Sequence, residues 1–194
     1  MRRKKMNIKD LIYKNRSFRR FVHHSIDRDT LVELVDLARH SASGANKQPL
    51  KFYLACDRET NEIIFPHLRW AGYLDDWSGP SEDERPTAYI VIIGDKRISD
   101  SFGVDHGIAA QSMLLGAAER GLGGCMIGSV QRVKLQRELG LPEHYHILLV
   151  VALGKPAETV VVETVDSDGD IKYWRDGNGI HHVPKRALDE LIIK

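Results

Sequence analysis

Residues 88–94 read AYIVIIG, and every one but the tyrosine hydroxyl is apolar. A strand that is apolar on both faces has to be covered on both faces, so this segment belongs in the middle of a sheet. A second run, Ile147 to Leu153, has the same character and is far too short to span a bilayer. Around these two strands the helical patterns fall irregularly. Over 194 residues there is no internal repeat and no linker composition. The expectation is one α+β domain covering 1–194, with a central, mostly antiparallel sheet flanked by helices.

The remaining elements follow from periodicity and punctuation. Asn7 to Tyr13 reads as a short helix. Asp27 reads as the N-cap of a second, whose Leu31, Leu34, Val35 and Ala38 form one apolar stripe. Leu50 to Cys56 is a strand, and a charged helix runs from Glu59 to about Leu68. The helix from Gly103 to Arg120 is slim, with Gly107, Ala109, Ala110, Gly116 and Ala117, which predicts close backbone approach in the middle of the fold. A polar helix ending at Leu139 leads into the strand His146 to Leu153. Thr159 to Val165 and Ile171 to Trp174 flank the turn sequence DSDGD and predict a hairpin. An amphipathic helix from Lys185 to Ile193 closes the chain. Between Arg69 and Pro86, loop residues are mixed with Trp70, Tyr73 and Trp77. Those aromatics either pack into a small satellite core or cover a ligand.

Charge excludes some classes of partner. The 28 Lys+Arg balance 27 Asp+Glu, so no global field draws the chain onto nucleic acid or anionic lipid. Cys56 and Cys125 share no CxxC spacing, and the adjacent pairs His23-His24 and His181-His182 lack the i, i+4 spacing of a helical metal face. Neither a disulfide framework nor a metal site is expected. The basic MRRKK start is followed by no apolar stretch and does not read as a secretory signal. A cytoplasmic, reducing location is the expectation.

Four patches carry chemistry. RSFRRF sets Arg16, Arg19 and Arg20 within five positions beside Ser17, a set suited to bidentate recognition of phosphate. Its plain alternative is a basic edge paired with carboxylates. SASGANKQP offers the amides of Asn46 and Gln48, each able to donate and accept toward a heterocycle edge. Equally, it reads as an ordinary helix-to-strand turn. GLGGCMIGS holds Gly121, Gly123, Gly124 and Gly128. These glycines follow a helix instead of joining a strand to one, so they are not a dinucleotide fingerprint. They end the helix and clear backbone, or they let a flat ligand lie against main chain. HHVPKR adds Lys185 and Arg186 near the end. No side chain stands out as an obligatory general acid or base.

In order and spacing these patches resemble the nitroreductase family of flavin enzymes. The resemblance rests on Arg16-Ser17-Phe18-Arg19, on Ser43 to Pro49 with Asn46 and Gln48, on the small-residue helix leading into GLG, on Gly121 to Ser129 and on the basic C-terminal segment. It implies an intertwined homodimer with FMN held between both chains, NADH or NADPH as donor and a small-molecule electron acceptor. It also implies phosphate contacts from Arg16, Ser17, Arg19 and Lys185 or Arg186. Ring and ribityl contacts would come from Ser43, Asn46, Gln48, Ile127, Gly128 and Ser129, and the slim helix would pack against its twin. Gly128 stands where the best-known members carry an acidic residue. Other functions on such a fold are a flavin carrier or sensor without turnover and a reductive dehalogenase-like enzyme.

Overall fold

The computed structural model describes residues 6–193. The basic MRRKK start and Lys194 lie outside the described residues. Helix α1 (Ile8–Lys14) opens on a capping box in which the Asn7 side chain accepts from Asp10 N at 2.9 Å. After the short strand β1 (Phe21–Val22), α2 (Arg28–Arg39) begins where the Asp27 carboxylate accepts from Thr30 N at 2.7 Å. Strand β2 (Leu50–Ala55), helix α3 (Arg58–Ile64) and strand β3 (Ala88–Asp95) follow. Then come α4 (Asp105–Glu119), β4 (Gly123–Ile127), α5 (Arg132–Glu138) and the long β5 (Tyr145–Pro156).

β5 organises the main sheet. β3 pairs along one side of it and β2 pairs outside β3; β4 and then β1 share its other side. Every pairing is antiparallel. All eight residues of β3 are buried, as its two-faced apolar sequence requires. Ala88, Ile90 and Ile92 face a core built with α2 and α4, while Tyr89, Val91 and Ile93 face a second core containing Ile64 of α3 and Leu135 of α5.

The slim profile of α4 has a reason inside the chain. A Cβ on Gly116 would come within 2.3 Å of Leu37 Cδ1 and 3.0 Å of Leu34 Cδ2, both on α2. Ala110 is fully buried in the same core. These small residues therefore admit α2, and the expectation that they meet a twin helix is corrected for those positions. The large apolar side chains exposed at α4 are Val104, before its first turn, and Ile108.

The C-terminal region departs from expectation twice. Strand β6 (Val160–Val165) pairs in parallel with β8 (His181–Arg186), and the two-residue β7 (Trp174–Arg175) pairs antiparallel with β8. DSDGD does turn, with Gly169 N donating to Asp166 O at 2.9 Å, but it does not join a hairpin. The hairpin forms one turn later, around Asp176 to Gly179. There Asp176 Oδ1 accepts from Asn178 N and Ile180 N, and Gly179 adopts φ +78°. Nor do residues 185–193 form a helix. Lys185 and Arg186 end β8, and only a 3-10 turn at Asp189–Leu191 follows. Leu188, Leu191, Ile192 and Ile193 are all exposed within the chain, and a short helix with no face to bury is marginal on its own.

Candidate functional site

The three arginines of RSFRRF have three different fates. Arg20 is taken up by Glu84, with its Nε 2.8 Å from both carboxylate oxygens; this contact raises the arginine's pKa and lowers the glutamate's. The plain reading thus holds for Arg20. Arg16 caps α1, donating to Ile12 O and Asn15 O at 2.6 Å each. Arg19 has no carboxylate partner for its guanidinium among the described residues. That group donates to Ser17 O at 3.2 Å, lies 3.1 Å from His181 Nε2 and sits over the Tyr173 ring at 4.7 Å.

The segment is positioned by β4. Ser17 forms a parallel bridge with Gly124, and Phe18 N donates to Gly124 O at 3.0 Å. Gly123 and Gly154 are paired across β4 and β5. A Cβ on either would lie about 2.5 Å from a phenylalanine ring atom, Phe18 for Gly123 and Phe21 for Gly154. Gly121 ends α4 with φ +78°, and a Cβ on Gly124 would meet Ala152 O at 2.4 Å. Three of the four glycines of GLGGCMIGS therefore serve the fold. Gly128 does not: a Cβ there would meet nothing within 4 Å.

Gly128 lines a cleft of about 160 Å³ together with Arg19, Ile127, Ser129, Ala71 and Tyr173. Its carbonyl accepts from Arg132 Nη2 at 2.8 Å, whereas the N–H groups of Gly128 and Ser129 have no acceptor among the described residues. Two adjacent main-chain donors and an open Cβ position suit a flat ligand edge rich in acceptors. Behind Arg19, His181 is buried and its pKa is pushed down to about 4 by that burial and by the nearby Arg19, Arg175 and His182. Neutral His181 accepts from Arg19 and fixes the guanidinium at the cleft wall. Burial raises the Cys125 thiol, which accords with a small core residue instead of a nucleophile.

Strain marks the same regions. Among the described residues, the non-glycine residues with positive φ are Ala45, Asn46 and Gln48 in SASGANKQP and Ala71 in the cleft wall. Such conformations cost about 1–3 kcal/mol each and persist where surroundings impose them. In the first loop the clamp is Asp105, buried at the start of α4. It accepts from Ser43 Oγ at 2.6 Å and Gly44 N at 3.0 Å, and Ser43 Oγ in turn accepts from Gln48 N at 3.0 Å. The loop is thus more than an ordinary turn, and the amides of Asn46 and Gln48 are exposed.

Within one chain the expected residues fall into two groups. Arg16, Ser17 and Arg19 lie with Ile127, Gly128 and Ser129 at the β4 edge. Ser43, Asn46 and Gln48 precede β2 at the opposite edge. Leu50 pairs with Gly94, Gly94 with His146, and Ile127 with Val150, which puts the two ends three strands apart, about 14 Å across the sheet. Lys185 and Arg186 are the last two residues of β8. Arg186 approaches Glu190 at 3.6 Å. Both sit at the end of β8 remote from His181, roughly 13 Å and 17 Å along the strand.

Of the two roles expected of the aromatic segment, packing holds for Trp70 and Trp77. Trp70 is buried, and Trp77 packs partly buried against the same core, with Arg175 4.8 Å over its ring. Tyr73 stays half exposed and meets Tyr173 at a ring distance of 4.9 Å. Asp105, Ala71, His181 and Tyr173 were not singled out as site residues in the sequence. Of these only His181 lay in a patch read for chemistry, HHVPKR, and there only as part of an adjacent histidine pair.

The nitroreductase family profile matches residues 12–74 and 81–155. This chain belongs to the nitroreductase family. A protein of Archaeoglobus fulgidus named as a candidate NADH dehydrogenase/NAD(P)H nitroreductase is 28% identical over 156 residues, covering 76% of this chain and 84% of that protein. Among solved structures, a nitroreductase family protein from Clostridium novyi NT superposes with TM-score 0.66 at 26% identity, covering 78% of this chain and 87% of that one. A candidate nitroreductase from Exiguobacterium sibiricum 255-15, solved in complex with FMN, has the same fold at TM-score 0.67 and 16% identity, over 80% and 91% of the two chains. The family match ends at residue 155, so β6, β7 and β8 lie beyond it. Among the described residues no helix is long and apolar enough to cross a membrane.

Proposed function

We propose that this protein is an FMN-dependent oxidoreductase that takes electrons from NADH or NADPH and passes them to a nitroaromatic, a quinone or another small organic acceptor. The observation that carries the reading is Gly128. It is the one glycine of its motif without a packing reason, and it lines a cleft where two main-chain donors lack acceptors. FMN, when bound, supplies the hydride and electron chemistry itself. The chain's part is to bind and orient. Arg16, Ser17 and Arg19, with Lys185 or Arg186, would hold the phosphate. The Gly128 and Ser129 N–H groups beside Ile127, with Ser43, Asn46 and Gln48, would meet the ring and ribityl chain.

The working unit in this reading is a homodimer. A ligand that needs both groups of residues takes them from two copies, because one chain holds them at opposite sheet edges. α1 supports this: it has no buried residue, and its Ile8, Ile12 and Tyr13 stand exposed next to α4. The free thiols Cys56 and Cys125 accord with a reducing, cytoplasmic setting. Purified protein incubated with FMN and desalted should keep a flavin spectrum, and it should oxidise NADH or NADPH faster when a quinone is added. Protein that retains no flavin would overturn the reading, and retained flavin without turnover would reduce it to a carrier.

A further inference from the structure

The three strands beyond residue 155 send one side chain into the cleft. Tyr173 precedes β7 and is gripped from three directions. The Arg19 guanidinium lies on its ring at 4.7 Å, His181 of β8 packs at 5.2 Å, and Tyr73 faces it at 4.9 Å with an interplanar angle of 52°. Tyr73 N also lies 3.4 Å from the Tyr173 hydroxyl, which accepts from it. Arg175, two residues on, is anchored to the buried carboxylate of Glu158 at 3.1 Å, and that same carboxylate accepts from the main-chain N–H groups of Arg19 and Arg20. The C-terminal strands are thereby tied to the arginine segment, and the ring of Tyr173 is held in place by that tie.

Tyr173 lines the same cleft as Gly128 and Ser129, so its ring is within reach of a second planar molecule stacked on a ring that lies there. We propose that Tyr173, with Tyr73 opposite, is the specificity-determining wall of this site. It admits flat, single-ring aromatic acceptors by offset stacking and excludes fused-ring or substituted ones. The inference rests on the flavin reading above. It goes beyond it by assigning acceptor selection to Tyr173, which lies outside the family match, together with Tyr73, which lies inside it.

The test uses FMN-loaded wild-type protein beside Tyr173→Ala, Tyr173→Phe and Tyr73→Ala. Binding of benzoate and of anthracene-2-carboxylate is followed by the change in the visible flavin spectrum, and turnover is compared for 1,4-benzoquinone and anthraquinone-2-sulfonate. Tyr173→Ala should shift both the affinity ratio and the kcat/KM ratio toward the fused-ring compound by about tenfold. Tyr73→Ala, at a half-exposed loop position, should shift them in the same direction, and Tyr173→Phe should keep the wild-type ranking. Flavin-loaded Tyr73→Ala and Tyr173→Ala proteins with unchanged ratios would overturn the wall and leave the flavin reading intact. If Tyr173→Ala does not fold, unchanged ratios in Tyr73→Ala alone overturn it. Wild-type protein that takes up no flavin would overturn both.

Discussion

The carboxylate of Asp105 reaches across from the start of α4 to accept the Ser43 hydroxyl at 2.6 Å, and through Ser43 and Gly44 it holds a loop with three left-handed non-glycine residues. The strain in Ala45, Asn46 and Gln48 is therefore sustained from outside the loop. Asp105→Ala removes two charge-assisted hydrogen bonds, each worth about 1.5–3 kcal/mol. The loop should relax, and FMN affinity should fall at least tenfold while the far-UV spectrum stays native. Titration of flavin fluorescence checks the affinity.

The glycines of GLGGCMIGS should respond in opposite ways to one added methyl group. Gly123→Ala and the paired Gly154→Ala push into Phe18 and Phe21. Overpacking of this kind costs about 1–3 kcal/mol, which lowers Tm by roughly 2–10 °C for a chain of this size. Thermal unfolding of the two variants measures it.

Gly128→Ala meets no protein atom and should leave Tm within about a degree of wild type. Its methyl group enters the cleft, so flavin retention after desalting should drop sharply. A stable, fully flavin-loaded Gly128→Ala protein would mean that the ligand does not lie on this main chain.

His181 gives a pH signature. Its folded-state pKa is near 4 against an ordinary 6.5, because it is buried among Arg19, Arg175 and His182 beside the Tyr173 ring. Between those two values the unfolded chain binds more protons at this site. Stability should therefore fall as pH drops from 6.5 toward 4, by up to about 3 kcal/mol, and be fully present above 6.5. His182 works in the opposite sense, since Glu163 raises its pKa. Comparing urea midpoints of wild type and His181→Asn at pH 7 and pH 5 isolates the His181 limb, which the variant should lack.

Much of this was legible in the sequence where a pattern is local. The two-faced apolar run of β3, the Asp27 cap and the Leu31–Leu34–Ala38 stripe formed as read, since burial and capping depend on residues a few positions apart. The C-terminal region was misread because two turn sequences compete there. DGNG, with its Asp176 bonds and a left-handed Gly179, formed the hairpin that DSDGD had suggested. The slim side of α4 was legible as tight packing, but sequence spacing does not say which helix comes close. At the candidate site, the arginine and glycine motifs come together in space, with Ser17 bridged to Gly124 and Arg19 lining one cleft with Gly128. Which arginine Glu84 captures, and that Tyr173 reaches Arg19, depend on residues 64 and 154 positions away.

The central claim is that one flavin site is completed by two copies of this chain. Co-expression of an Arg16→Ala/Arg19→Ala chain with a Ser43→Ala/Asn46→Ala chain, carrying different affinity tags, tests it most directly. Each variant alone damages every site, whereas a mixed dimer rebuilds one site from the two undamaged groups. The account predicts that the doubly purified mixed dimer holds roughly half the wild-type flavin and regains NAD(P)H oxidation in proportion. A mixed species with no more flavin than its parents, or a wild-type protein that sediments as a flavin-loaded monomer, would contradict it.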